Sequence, residues 1–221
     1  MPEITERVIQ ATHDRITPAR KRKTMQPQKK KRCFWPAEDE QMIRYHDEEW
    51  GVPLHDDRKL FEFMILDAFQ AGLSWKTILH KRAAFRKAFA GFDPKKVCRF
   101  TEKDTQRLMT DPGIIRNKLK IQATVTNARC FLAVQQEFGS FDHYIWQFVD
   151  YQTILTRRVA TDPPLATSPE SEAMSRDLKK RGFKFVGPTI CYAFMQAAGM
   201  INDHITTCFR YKAINQILKT K

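Results

Sequence analysis

The side chains best suited to binding a metal ion form two pairs, one towards each end of the sequence. Cys33 precedes His46 by 13 positions, and His204 precedes Cys208 by four. On a helix, residues four apart share a face, and two thiolates with two imidazoles complete a tetrahedral zinc shell without an open position. The spacing is compatible with a structural zinc site, although either cysteine would equally suit a buried core position.

A carboxylate on an apolar helix face is the second candidate. Asp67 shares an i, i+3/i+4 stripe with Leu60, Phe63 and Ala71. A helix over 57–70 would turn it towards the core, near the end where the helix dipole opposes negative charge. Two interpretations stay open: a buried Asp that caps a loop N–H, or a carboxylate held there to recognise a ligand.

The turn after this helix combines a lone Leu with a Trp. Leu73 and Trp75 lie in the exposed-looking segment 70–75. An apolar wedge beside an aromatic stacking surface is what a base-extruding enzyme requires. Other aromatic residues that suit either a base pocket or the core are Trp35, Tyr45 and Trp50.

A glycine-containing turn at 182–189 separates two predicted helices. Gly187 permits a tight turn, Pro188 suits a first helical position, and the following N–H groups, from Thr189 on, can meet an anion. Such a turn binds DNA phosphate in helix-hairpin-helix proteins, or is an ordinary helix connection. The cations around it are Lys179, Lys180, Arg181 and Lys184.

The elements that must position these residues are helical. Capping residues and the apolar period of 3.6 predict helices over 57–70, 75–90, 102–110, 121–135, 141–149, 171–181 and 188–199. The Pro- and Thr-rich stretch 160–169 predicts a loop, and no segment alternates as a strand. We therefore predict one all-α domain over residues 33–221.

Composition excludes several classes of protein. Of 221 residues, 42% are hydrophobic, enough for a sizeable core, but no apolar run is long enough to span a membrane. Five cysteines and no secretory signal favour a reducing compartment. Thirty-eight Lys and Arg against 25 Asp and Glu give a net charge of +13, which favours a polyanionic partner.

The positive charge is concentrated at the start of the chain. Residues 1–32 hold ten Lys or Arg and three acidic residues, and they contain no aromatic side chain. This composition predicts a disordered basic arm that either strengthens nucleic-acid binding or serves solubility or targeting.

Five sequence blocks, taken together, resemble the bacterial 3-methyladenine DNA glycosylase I family. The resemblance covers essentially all of 33–221 and implies a helix-hairpin-helix DNA-repair fold. The blocks are RCFW (32–35), YHDEEWG (45–51), QAGLSW (70–75), KRGFKFVG (180–187) and NDH (202–204).

The resemblance also implies roles for particular residues. It assigns structural zinc to Cys33, His46, His204 and Cys208, and a base pocket to Trp35, Tyr45, Trp50 and Trp75. It implies that Asp67 stands where the family usually has Glu, shortening the reach by about 1.5 Å. Met42 stands where a pocket tyrosine is common, and Phe69 is expected close to the pocket.

The activity implied is monofunctional base-excision repair. The enzyme would flip alkylated adenine out of double-stranded DNA and release it hydrolytically, with Leu73, Lys184, Gly187 and Thr189 meeting the DNA. It is expected to act as a monomer in the bacterial cytoplasm, on nucleoid DNA. Two alternatives stay open: a non-catalytic protein that recognises damaged duplex, and a zinc hydrolase, which four protein ligands disfavour.

Overall fold

The computed structural model describes residues 30–219. The described part is mostly helical, as predicted. Its helices are α1 (Glu40–Glu48), α2 (Asp57–Gln70), α3 (Trp75–Ala88), α4 (Pro94–Val97), α5 (Glu102–Thr110), α6 (Lys118–Phe138), α7 (Phe141–Trp146), α8 (Pro169–Lys180), α9 (Pro188–Ala197) and α10 (Phe209–Lys219). Two short 3₁₀ turns lie at Ala90–Phe92 and Gln147–Val149.

The helix starts follow from side-chain caps. Asp56 accepts from the N–H of Lys59 at the start of α2, and Ser74 accepts from Thr77 at the start of α3. A Thr101–Asp104 capping box begins α5. These caps satisfy N–H groups that a helix leaves unpaired in its first turn.

The expectation of no strand is wrong at two dipeptides. Strand β1 (Ile154–Leu155) pairs in parallel with β2 (Ile201–Asn202), with Ile154 opposite Ile201. Two residues are too few for alternation to show in the sequence, because the strand signal needs four to eight positions.

Helix α2 lies at the centre of the core. All its residues from Leu60 to Phe69 are buried, and it packs against α3, α6, α7 and α9. The stripe that suggested one apolar face is therefore part of a helix enclosed on all sides. This enclosure places Asp67 deep in the protein.

The described part contains no helix long and apolar enough to cross a membrane. Residues 1–29 of the predicted basic arm lie outside the described residues. Of its last residues, Arg32 donates to Asp47 at 2.7 Å, and the carbonyl of Lys31 accepts from the Phe209 N–H at 2.9 Å.

Candidate active site and metal-binding cluster

A cavity of about 280 Å³ lies among α1, α2, α3 and α9. Its lining combines the aromatic rings expected from the sequence with a methionine, an alanine and three polar side chains. Its lining residues are Trp35, Met42, Tyr45, Trp50, Asp67, Gln70, Trp75, Ala193 and Gln196.

The aromatic rings of this cavity are tilted against one another. Tyr45 and Trp75 have centroids 5.1 Å apart at 46°, and Trp35 and Trp50 are 5.1 Å apart at 74°. Helix α1 supplies Met42 and Tyr45 from positions three apart, so both face the same way.

Asp67 is buried in this cavity with an unsatisfied oxygen. It is 2% exposed, and its Oδ2 atom has no hydrogen-bond partner among the described residues. Burial raises the pKa of Asp67 well above its usual range, and the Arg82 guanidinium opposes that rise. A buried polar group without a partner is unusual in a native protein. The arrangement favours ligand recognition over capping of a loop N–H.

Two indole N–H groups of the cavity also lack hydrogen-bond partners in the described part of the chain. The Nε1 atoms of Trp35 and Trp75 are buried and have no hydrogen-bond partner among the described residues. Both residues line the cavity with Asp67. Three unpaired polar atoms on three residues of one cavity fit a bound molecule with polar edges and apolar faces.

The amide of Gln196 has a fixed orientation. Its Nε2 donates to Asp203 Oδ2 at 2.6 Å, and Asp203 also accepts from Arg158 and Thr156, both at 2.8 Å. This hydrogen bond turns the NH₂ group of the amide towards Asp203. The side-chain carbonyl oxygen of Gln196, Oε1, is the amide atom left for other partners.

The expectation for Phe69 is wrong. It is fully buried and packs against Phe85 and Phe89, with centroids 4.8 and 5.9 Å away, and it does not line the cavity. Two positions along a helix are a rotation of about 200°, so a residue two after Asp67 faces the opposite side.

Three lining residues are not among the predicted pocket residues. Gln70 follows Asp67 by three positions, a spacing that places both on one side of α2. Ala193 and Gln196 are likewise three apart on α9. Only the packing of α9 against α2 brings that helix face to the cavity.

The turn between α2 and α3 exposes a large apolar side chain. Leu73 is 41% exposed, and the preceding Gly72 has φ +79°, which a side chain would make unfavourable. Ser74 then caps α3 and directs Trp75 to the cavity. One turn thus separates an outward apolar residue from an inward aromatic one.

Helices α8 and α9 form the expected helix–turn–helix, but the expectations for Gly187 and Arg181 are corrected. The left-handed positions of the turn are Gly182 (φ +92°) and Phe185 (φ +56°), whereas Gly187 has φ −64° as the cap of α9. Arg181 pairs with Glu137 at 2.7 Å and with Asp177 at 2.8 Å, so its charge is already neutralised.

Four polar side chains in or beside this turn face solvent. They are Lys179, Lys180, Lys184 and Thr189. The N-terminus of α9 has no side-chain cap. Its first N–H groups are therefore available to an anion, as the sequence predicted.

Cys33, His46, His204 and Cys208 form a buried cluster that could hold a metal ion. One potential ligand atom from each lies within 4.8 Å of the others. Cys33 Sγ is 3.5 Å from His204 Nδ1, and Cys208 Sγ is 3.5 Å from His46 Nε2 and 3.6 Å from His204 Nδ1. The Cys33 thiol, hydrogen-bonded to Cys208, holds the pKa of Cys208 far below its usual range.

The four-residue spacing of His204 and Cys208 does not correspond to a helix. Both residues lie in the bend between β2 and α10, and only His46 is on a helix. The outer ring nitrogens are held: His46 Nδ1 is 2.8 Å from Asp47 Oδ1, and His204 Nε2 is 3.0 Å from the Trp50 carbonyl. Such outer contacts orient the imidazoles of a metal site.

Known proteins resemble this chain over its folded part. The sequence profile of the methyladenine glycosylase family matches residues 35–211. DNA-3-methyladenine glycosylase 1 of Escherichia coli (strain K12) is 50% identical over 181 residues, which are 81% of this chain and 96% of that protein. The Haemophilus influenzae DNA-3-methyladenine glycosylase is 45% identical, over 80% of this chain and 96% of its own length.

Solved structures agree in fold. A crystal structure of 3-methyladenine DNA glycosylase I has TM-score 0.79 and 51% identity, and covers 81% of this chain and 98% of its own. A Staphylococcus aureus structure, described as the basis of 3-methyladenine recognition by that enzyme, has TM-score 0.78 and 37% identity, covering 80% and 95%.

Proposed function

The chain belongs to the methyladenine glycosylase family, and on that premise we propose that its cavity receives 3-methyladenine flipped out of duplex DNA and releases the base hydrolytically. The observation that carries the proposal is the aromatic cavity with a buried, unpartnered carboxyl and two unpartnered indole N–H groups. At about 280 Å³ the cavity is near the lower end of pockets that take drug-sized ligands, roughly 300–1,000 Å³. A purine is smaller than such ligands.

The chemistry follows from the leaving group. Methylation at N3 makes adenine cationic in DNA, so its bond to C1′ is weak and the base departs neutral. Water adds its oxygen to C1′, the C1′–N9 electron pair goes to the purine, and the water proton passes to solvent. The enzyme needs little acid catalysis.

The cavity residues favour the charged base over the neutral one. Indole and phenol rings attract a cation through their faces, which Trp35, Tyr45, Trp50 and Trp75 supply. The Asp67 carboxylate accepts from the exocyclic amine and is stabilised by the positive ring. Met42 adds an adaptable apolar contact.

The same proposal assigns the DNA contacts. The exposed lysines at 179, 180 and 184, with the N–H groups of Gly187 and Thr189 on either side of Pro188, hold the phosphate backbone as a helix-hairpin-helix does. Leu73 enters the gap left by the flipped base. Neither contact reads sequence.

We also propose that the Cys/His cluster holds structural zinc. Bond lengths of about 2.3 Å to sulfur and 2.0–2.1 Å to nitrogen make the S···N edge of a zinc tetrahedron about 3.6 Å. Three of the four S···N separations are 3.5, 3.5 and 3.6 Å. Four protein donors leave no position for a reacting water, so zinc would join residues near the two ends of the fold and take no part in hydrolysis.

The test is base release from DNA treated with a methylating agent, followed by chromatography of the soluble products. We expect free 3-methyladenine from methylated DNA and none from untreated DNA, with the strand intact until abasic sites are cleaved by alkali. DNA binding without base release would instead support a non-catalytic damage-recognition protein. Strand cleavage by the enzyme alone would contradict a monofunctional glycosylase.

A further inference from the structure

Lys120 is a buried cation that contacts the turn carrying Leu73. It is 8% exposed, and its Nζ donates to the carbonyls of Phe69 at 2.8 Å and Ala71 at 2.6 Å. These carbonyls lie at the end of α2, where a helix leaves its last C=O groups unpaired. Burial lowers the pKa of Lys120. A costly buried charge here indicates that the end of α2 must be held in place.

The same face of α6 also holds the turn between α8 and α9. Asn127 is 1% exposed; its Nδ2 donates to the carbonyl of Lys184 at 3.0 Å, and its Oδ1 accepts from the Lys184 N–H at 2.7 Å. Residues 120 and 127 are seven positions apart, which returns to the same helix face about 10 Å further along the axis. Lys120 Nζ is also 5.9 Å from the ring centroid of Phe185, in that turn.

One helix therefore fixes two surface features in a set spacing. Lys120 fixes the wedge turn, residues 71–74, and Asn127 fixes the phosphate-binding turn, residues 182–187. Leu73 and Phe185 are both exposed large apolar side chains. A duplex bound by the phosphate-binding turn would meet Leu73 only if that spacing is kept.

We infer that Lys120 is a positioning residue for base extrusion, holding the wedge turn in register with the phosphate-binding turn. The inference rests on the proposed glycosylase function and assigns Lys120 no contact with the base. Without Lys120, we expect Leu73 to lose its fixed position, while the cavity side chains on α1 and α9, which Lys120 does not contact, keep their packing. Extrusion from a well-paired duplex should then suffer most, because unpairing there is most costly.

The experiment compares Lys120→Met with the parent on two duplexes and on free base. In one duplex 3-methyladenine lies opposite thymine, and in the other it lies opposite an abasic site, where it is easily extruded. We expect kcat/KM to fall about tenfold or more opposite thymine and clearly less opposite the abasic site. The affinity for free 3-methyladenine, followed by tryptophan fluorescence, should change less than about twofold.

Controls separate this role from general damage. Lys120→Arg keeps cationic donors, so its ratio of kcat/KM between the two duplexes should lie between those of Lys120→Met and the parent. Lys212→Met on α10 should match the parent. Lys184→Ala should reduce excision from both duplexes by the same factor. The ratio of kcat/KM between the two duplexes does not depend on the folded fraction of a preparation. If Lys120→Met does not fold, Lys120→Gln is measured in its place.

Equal losses of Lys120→Met on both duplexes, or no loss on either, would overturn the inference. A parent that releases no base from either duplex would instead overturn the proposed function. The two failures are therefore distinguishable.

Discussion

At the scale of single residues, Asp67 carries the base recognition that we propose. Asp67→Asn keeps the shape and removes the charge, so a charge-assisted hydrogen bond of about 1.5–3 kcal/mol is lost and excision should fall about ten- to a hundredfold. Asp67→Glu lengthens the reach, and Phe69 leaves that side of the cavity clear. It should raise activity on 3-methyladenine. Single-turnover base release measures both variants; an Asn variant as fast as the parent would return Asp67 to a structural role.

The same carboxyl makes stability depend on pH. Its pKa is raised in the folded state by burial, so its contribution to stability is fully present below the unfolded pKa, about 3.9, and is lost as pH rises towards the folded value. Across that window the parent should lose about 1.4 kcal/mol per pH unit relative to Asp67→Asn. Urea unfolding of both proteins at pH 5, 6, 7 and 8 tests this. A stability difference that is constant with pH would contradict it.

At the scale of elements, the turn between α8 and α9 separates two kinds of cation. Lys184 is exposed, whereas Arg181 is held by Glu137 and Asp177. Lys184→Ala should therefore weaken DNA binding and reduce the slope of log K against log salt by about one unit. Arg181→Ala should lower the melting temperature and leave the slope unchanged. Binding titrations at four salt concentrations compare the two; equal slopes for both variants would contradict the assignment.

The helices were predictable where a cap and an apolar period coincide. The start of α2 at Asp57 and of α3 at Trp75 follow directly from Asp56 and Ser74. Helices α1, α4 and α10 are not among the predicted helices. The bend at His204 could not be predicted, because spacing alone does not distinguish a turn from a helical i, i+4 pair.

The cavity was predictable only in part for a similar physical reason. Its aromatic residues occur in distinctive sequence blocks, and the structure brings Trp35, Tyr45, Trp50 and Trp75 together as expected. The α9 side of the wall depends on how two distant helices pack. Phe69 lies outside the cavity because closeness to Asp67 in the sequence does not place two helix residues on the same face.

At the scale of the whole molecule, the metal cluster joins residues near both ends of the described fold. We predict one zinc per chain in protein purified without added metal. Cys208→Ser should lose the metal and unfold at lower temperature, because buried donors would be left unpaired. Cys98→Ser, outside the cluster, is the matched control. Plasma emission spectrometry measures the zinc; a content near zero in the parent would remove the claim.

The basic arm is predicted to act through charge alone. Residues 1–32 carry a net +7, and residues 1–29 alone, with seven Lys or Arg against three acidic residues, carry +4. Deleting residues 1–29 should therefore reduce the salt slope of non-specific DNA binding, while excision at saturating enzyme stays within about twofold of the parent. An unchanged slope in the same titrations would favour the solubility or targeting interpretation.

The cavity and the cluster share a wall. The Trp50 ring is 4.6 Å from the His204 ring and the Trp35 ring is 5.3 Å from the His46 ring, while both tryptophans line the cavity. Trp35 and Trp50 contact both the cluster and the cavity, so the binding of a metal and the binding of a base can influence each other. Such thermodynamic coupling is reciprocal. The factor by which metal binding changes the affinity for the base equals the factor by which base binding changes the affinity for the metal. If loss of the proposed zinc weakens base binding, a cavity that holds a base would in turn retain the zinc against competing chelators more tightly than an empty cavity.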